Sequence, residues 1–157
     1  MDYLALKWLH ILSATLLYGT GLGSAFYKFM SDRTGNLPAI AETNRLVVLA
    51  DWLFTTPTVI LQPVTGIWLA VIAGYSLNSS WLVLTGVLYV IAGACWLPVV
   101  VLQIRMRDMA QEALAQGRAL GPKYANLARW WTWLGIPAFT ALIGVYYLMV
   151  FKPTLWS

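Results

Sequence analysis

Positions 52–104, a third of the chain, contain no charged residue. As one helix the run would be about 80 Å long, against a hydrocarbon core of roughly 30 Å. It therefore has to fold back on itself. The polar string Tyr75-Ser76-Leu77-Asn78-Ser79-Ser80 marks the place, with Gly74 before it as a helix stop. The expected product is a helical hairpin over 52–74 and 81–104, and the short turn makes its arms antiparallel neighbours.

Two further apolar stretches cover 3–27 and 130–151, the second closed by Lys152-Pro153. The pattern predicts an all-α, polytopic membrane protein: a four-transmembrane-helix up-down bundle forming one domain over 1–157. Its spans lie at about 3–27, 52–74, 81–104 and 130–151. The segment 31–45 mixes Pro, Gly, Asn and charges, and is expected to be a loop with a short surface helix leading into Asn44-Arg45. Residues 105–129 are expected to be a cytoplasmic helical extension. Helical character continues from Arg105 to Gln116, Gly117 and Gly121 break it, and Pro122 opens the next helix.

Composition excludes several classes. Hydrophobic residues are 60% and charged residues 10%, where a soluble domain carries about 25% charged. Disordered chains and disulfide scaffolds do not look like this. The single cysteine, Cys95, permits neither an internal disulfide nor a cysteine-based metal site and reads as a small buried hydrophobe. The apolar character at the N-terminus runs too long for the core of a cleavable signal. The net charge of +4 lacks the clustering of a phosphate-binding stripe, so no nucleic-acid partner is expected.

The basic residues instead report topology. Lys28, Arg33, Arg45, Arg105, Arg107, Arg118, Lys123 and Arg129 fall in 28–51 and 105–129, leaving Lys7 and Lys152 on the other side. The positive-inside rule places both loops in the cytoplasm and the N- and C-termini outside. Trp8, Trp81 and Trp156 would mark the outer interface, and Trp52, Trp130 and Trp131 the inner one.

An ionisable side chain at the bilayer centre costs about 2.5–3.5 kcal/mol, so few residues can carry chemistry. His10, the one histidine, lies two turns into the first span, with Lys7 on the same face. That face continues through Ala14, Leu17 and Gly21, where small residues admit another backbone or a flat ligand. One reading makes His10 an axial ligand to haem iron, with Lys7 near the propionates. The other makes it a hydrogen-bonding residue against a facing helix. The second span carries Thr55, Thr58, Gln62 and Thr65 at helical spacing. They would line a ligand path, or would tie helices together around Pro57 and Pro63, whose freed carbonyls need donors. Tyr89, Trp96 and Gln103 in the third span, and Pro137, Thr140, Gly144 and Tyr147 in the fourth, read as packing. Asp51 at the mouth of the second span is expected to pair with Arg45. No catalytic triad, Walker motif, metalloprotease motif or carboxylate pair is present, and Gly19-x-Gly21-x-x-Ser24 has no preceding strand. A non-enzymatic role is expected.

The segments Tyr3-Leu-Ala-Leu-Lys7-Trp-Leu-His10-Ile-Leu-Ser-Ala and Tyr18-Gly-Thr-Gly-Leu-Gly-Ser-Ala-Phe-Tyr27, with the Thr-Pro and Gln-Pro of the second span, resemble a bacterial family of predicted integral membrane proteins of unknown function. More remotely, Leu6-Lys7-Trp8-Leu9-His10-Ile11, Thr56-Pro57, Gly66-Ile67-Trp68 and Lys152-Pro153 resemble the HemJ-type protoporphyrinogen oxidases and the CopD-like membrane proteins. The first resemblance implies a bacterial inner (cytoplasmic) membrane. The second implies haem b, with His10 as ligand and Lys7 as its neighbour. The third span lacks the further basic or histidine residue of the HemJ-type pattern, and Ala25-Phe26-Tyr27 stands where its arginine and second histidine belong. A single chain thus cannot supply two histidines; the haem would have His10 with a weak or absent sixth ligand, or be shared by two copies of His10 in a homodimer.

The functional expectations are therefore a haem b redox protein using His10, a small-molecule carrier using the threonine–glutamine stripe, or an accessory subunit of a partner membrane protein. All three place the chain in a lipid bilayer.

Overall fold

A computed structural model describes residues 2–156. The described residues are all-helical. They form α1 (Tyr3–Thr34), α2 (Leu37–Ala50), a π-helical turn (Asp51–Thr55), α3 (Thr56–Ile72), α4 (Ser80–Ala115) and α5 (Pro122–Phe151). α2, the π turn and α3 are continuous, so Leu37–Ile72 is one helix of 36 residues. It, α4 and α5 are long and apolar enough to cross a membrane. α1 has 32 residues, but serine, threonine and glycine dilute its apolar character.

The segment 31–45, expected as a loop with a short surface helix, is helical on both sides of one turn, and its second helix runs on into the expected second span. Only Gly35 and Asn36 separate α1 from α2. Gly35 closes α1 at φ +67, in the left-handed region that glycine enters freely. The Asn36 side chain then accepts from the Ala39 N–H at 3.3 Å, with Pro38 in the first turn. Ile40, Ala41, Val47 and Val48 are buried. Glu42 and Arg45 on the exposed face obscure that apolar stripe in the sequence, so Trp52 is no helix start.

The π turn has a local cause. Pro57 has no N–H to offer the Leu53 carbonyl, and its ring crowds that carbonyl. The chain widens by one residue, and the Thr56 N–H reaches the Asp51 carbonyl. Thr58 Oγ donates to the carbonyls of Phe54 at 2.6 Å and Thr55 at 2.9 Å. Pro63 frees the Val59 carbonyl in the same way, and Tyr89 of α4 donates its hydroxyl there at 2.6 Å. Tyr89 is thus a bridge between helices as well as a packing residue.

α4 packs along α5, α2 lies on α4, and α1 lies on α3 and α2. The core at this end joins Ile40, Ala41, Val99, Met106, Ala110, Tyr124 and Trp131 from α2, α4 and α5. Adjacency between the arms of the hairpin is therefore a property of α2, while α3 stands off from α4 beyond the π turn. α1 and α5 meet through aromatic side chains. Tyr18 sets its ring edge-on to Phe139 at 5.7 Å and Tyr146 at 5.5 Å, and the Tyr146 hydroxyl donates to the Ala14 carbonyl at 3.0 Å.

Ile60, Val90, Leu97, Trp133 and Val150 are each more than half exposed. Such a belt suits hydrocarbon and not water. Two of the expected interface tryptophans do not belong to it. Trp81 and Trp131 are buried, because Tyr75 packs edge-on against Trp81 at 5.4 Å and the Lys28 ammonium lies 5.1 Å from the Trp131 ring.

Candidate functional site

Where α3 leaves α4, a cavity of about 530 Å³ opens between α1, α3, α4 and α5, within the range of small-molecule pockets. Leu17, Gly21, Ala25 and Phe29 line it from α1, Val59 from α3, Ala92, Gly93, Trp96 and Val99 from α4, and Gly135, Ile136 and Phe139 from α5. The space has two origins. The π turn redirects α3, and the facing helices present glycine and alanine. A β-carbon at Gly93 or Gly135 would meet nothing within 4 Å.

The polar lining residues divide: Ser24, Tyr89, Thr132 and Thr140 donate their hydroxyls to backbone carbonyls, while Asp51 and Thr55 of the π turn, Gln103 of α4 and Trp131 of α5 keep polar atoms for one another or for a ligand. Thr55 Oγ donates to Asp51 Oδ1 at 2.9 Å. The Gln103 side chain approaches the same carboxylate. Asp51 and Gln103 are each 5% exposed and Trp131 is 8% exposed. Among the described residues, Asp51 Oδ2, Gln103 Oε1 and Trp131 Nε1 are buried without a hydrogen-bond partner. An unmet group of this kind costs about 1–3 kcal/mol.

The expected Asp51–Arg45 pair does not form. Arg45 binds Glu42 through two hydrogen bonds, 2.7 and 2.9 Å long. The reason is helical phase. Three residues place Glu42 and Arg45 on one face, whereas six residues turn Asp51 well away from it.

A second polar cluster lies in the core, and only its charge was visible in the sequence. Lys28 of α1 is fully buried. Its Nζ donates to Asp32 Oδ2 at 2.6 Å and to the Tyr124 hydroxyl at 3.3 Å. Tyr124 in turn donates to Asp32 Oδ1 at 2.6 Å and accepts from Asn44 Nδ2 at 2.8 Å. Lys28 lies outside the apolar stretch of α1. Burial pulls its ammonium below the usual lysine range, and the Asp32 carboxylate pulls in the opposite direction. The cluster joins α1, α2 and α5. Its one local signal is the four-residue spacing of Lys28 and Asp32, whereas its partners Asn44 and Tyr124 are distant in sequence.

His10 lies between α1 and α3, outside the cavity lining. Its Nδ1 is 2.7 Å from Thr65 Oγ. Thr65 donates its own proton to the Leu61 carbonyl at 2.6 Å, so it accepts from Nδ1–H and leaves Nε2 as the bare nitrogen. The ring is seated over Gly66, where a β-carbon would come within 3.2 Å of Cε1. Gln62 donates to the His10 carbonyl at 2.9 Å and contacts Ser13 Oγ. Lys7 is exposed, with its ammonium 6.0 Å from the Tyr3 ring. The stripe Thr55, Thr58, Gln62 and Thr65 therefore divides. Thr55 faces the cavity, Thr58 bonds back to the Phe54 and Thr55 carbonyls of its own helix, and Gln62 and Thr65 hold α1. Gln103, Trp96 and Trp131 share the cavity with Thr55 instead.

Residues 4–153 match the family model described as predicted integral membrane protein (DUF2269). The chain belongs to that family. Neither the curated proteins nor the solved structures contain a match.

Proposed function

We propose that this DUF2269 protein binds one small, largely apolar molecule inside its helix bundle and carries it within the bilayer. The cavity between α1, α3, α4 and α5 carries this reading. In the proposed topology α1 is a fourth span and the helices alternate up and down in a bacterial inner membrane. The termini lie outside, and the helix ends flanking 35–36 and 116–121 lie in the cytoplasm. Eight of the ten Lys and Arg residues on that side support the orientation.

The test is titration of the detergent-solubilised protein with an apolar fluorophore such as diphenylhexatriene. One saturable site per chain above micelle partition is expected. Partition equal to empty micelles overturns the reading and returns the chain to the role of an accessory subunit.

A second reading keeps haem b, shared by the His10 side chains of two copies. The bare Nε2 of a pinned imidazole favours it, and haem would supply one-electron chemistry. On this reading Lys7, which is exposed with its ammonium 6.0 Å from the Tyr3 ring, would meet the propionates. A Soret band lost in His10→Ala is the expected result on this reading. A featureless spectrum of folded protein from haem-replete cells overturns it.

A further inference from the structure

Among the described residues, Asp51 is the one carboxylate lining the cavity, and it is almost wholly buried. Buried charges in proteins are paired. Among the described residues, no cation pairs with this one. Lys28 is held by Asp32 at 2.6 Å and Arg45 by Glu42 at 2.7 Å. Thr55 satisfies Oδ1 and leaves Oδ2 open. Gln103, beside it, also has an open acceptor, Oε1. One end of a largely apolar cavity thus offers a carboxyl group and two side-chain oxygens without a donor.

We infer that the ligand is a lipophilic amine, with a hydrocarbon or aromatic body among the apolar walls and a protonated amino group between Asp51 and Gln103. This rests on the reading of the cavity as a binding site. An ammonium has up to three N–H donors and no acceptor, so it meets both open oxygens while cancelling the charge of Asp51. An alcohol has a single donor and no charge. A carboxylate would face Asp51 with like charge. The walls favour the same choice, since they include Trp96, and an indole ring attracts cations to its face. Trp131 Nε1–H is itself a donor and has no part in holding an ammonium.

The experiment displaces the apolar fluorophore from the full-length protein with dodecylamine, dodecanol and dodecanoate at pH 7. The amine is expected to compete about tenfold or more better than the alcohol, in line with a charge-assisted hydrogen bond, and the acid worst. In Asp51→Asn the amine's advantage over the alcohol is expected to fall to within about threefold, and Asp51→Glu is expected to restore most of it. The thermal midpoint of each variant reports its folding. If the alcohol matches the amine in the wild-type protein, the inference fails although the cavity still binds. If the amine's advantage survives in folded Asp51→Asn, the assignment to Asp51 fails. If the fluorophore shows no saturable site, the binding reading fails as well.

Discussion

Lys28→Met lowers the thermal unfolding midpoint of the detergent-solubilised protein by roughly 6–12 °C. Removing one member of a buried ion pair costs about 3–5 kcal/mol, and the lower end applies here. Asp32 keeps 19% side-chain exposure and still accepts from Tyr124, so water and one hydrogen bond temper the loss. Methionine fills the space beside the Tyr124 and Trp131 rings, so the effect measures the lost charge more than a cavity. Lys28→Met combined with Asp32→Asn is expected to recover part of the midpoint, because no charge is then left buried alone. A single variant as stable as the wild type would show that the cluster contributes nothing to holding α1, α2 and α5 together.

Gly93→Leu with Gly135→Leu abolishes saturable binding of the apolar fluorophore, weakening it by at least about tenfold, while the midpoint stays level or rises. Both glycines line the cavity, and neither position has an atom within 4 Å of a new β-carbon. The added isobutyl groups enter empty space and occupy the ligand's volume. Glycine inside a helix is also about 0.5–1 kcal/mol less favourable than alanine, so the change does not weaken the helices. Unaltered fluorophore binding in a folded double variant would place the bound molecule elsewhere. This pair also separates two explanations for the glycines. Residues needed for close helix contact would resist leucine, whereas residues that leave room for a ligand accept it.

The two predictions concern features that differ in how far the chain announces them. The uncharged run, the stop at Gly74 and the Pro122 helix start are local facts, and local physics suffices to read them. A bilayer limits helix length, glycine enters the left-handed region, and proline suits a first turn. The facing of His10 to a neighbouring helix was also legible as one of two readings, since a lone buried imidazole needs a partner. A short helix leading into Asn44-Arg45 was legible, but its burial and its continuity with the second span were not, because its buried apolar positions are interleaved with Glu42 and Arg45 and only contact with α4 shows which face is inside.

The cavity lay further from view. It depends on where α3 points after the π turn, and on Gln103, Trp96 and Trp131 lining one cavity with Asp51 from helices far apart in sequence. Periodicity places each of them on a face of its own helix but does not say which faces meet. The Lys28 cluster is similar, because a basic residue beside an apolar stretch reads as a topology signal until Tyr124 and Asn44 close over it. Membrane residence and helical hairpins follow from composition and spacing, since each helix must satisfy its own backbone in lipid. The cavity, its polar end and the buried ion pair follow from packing, since they exist only between helices.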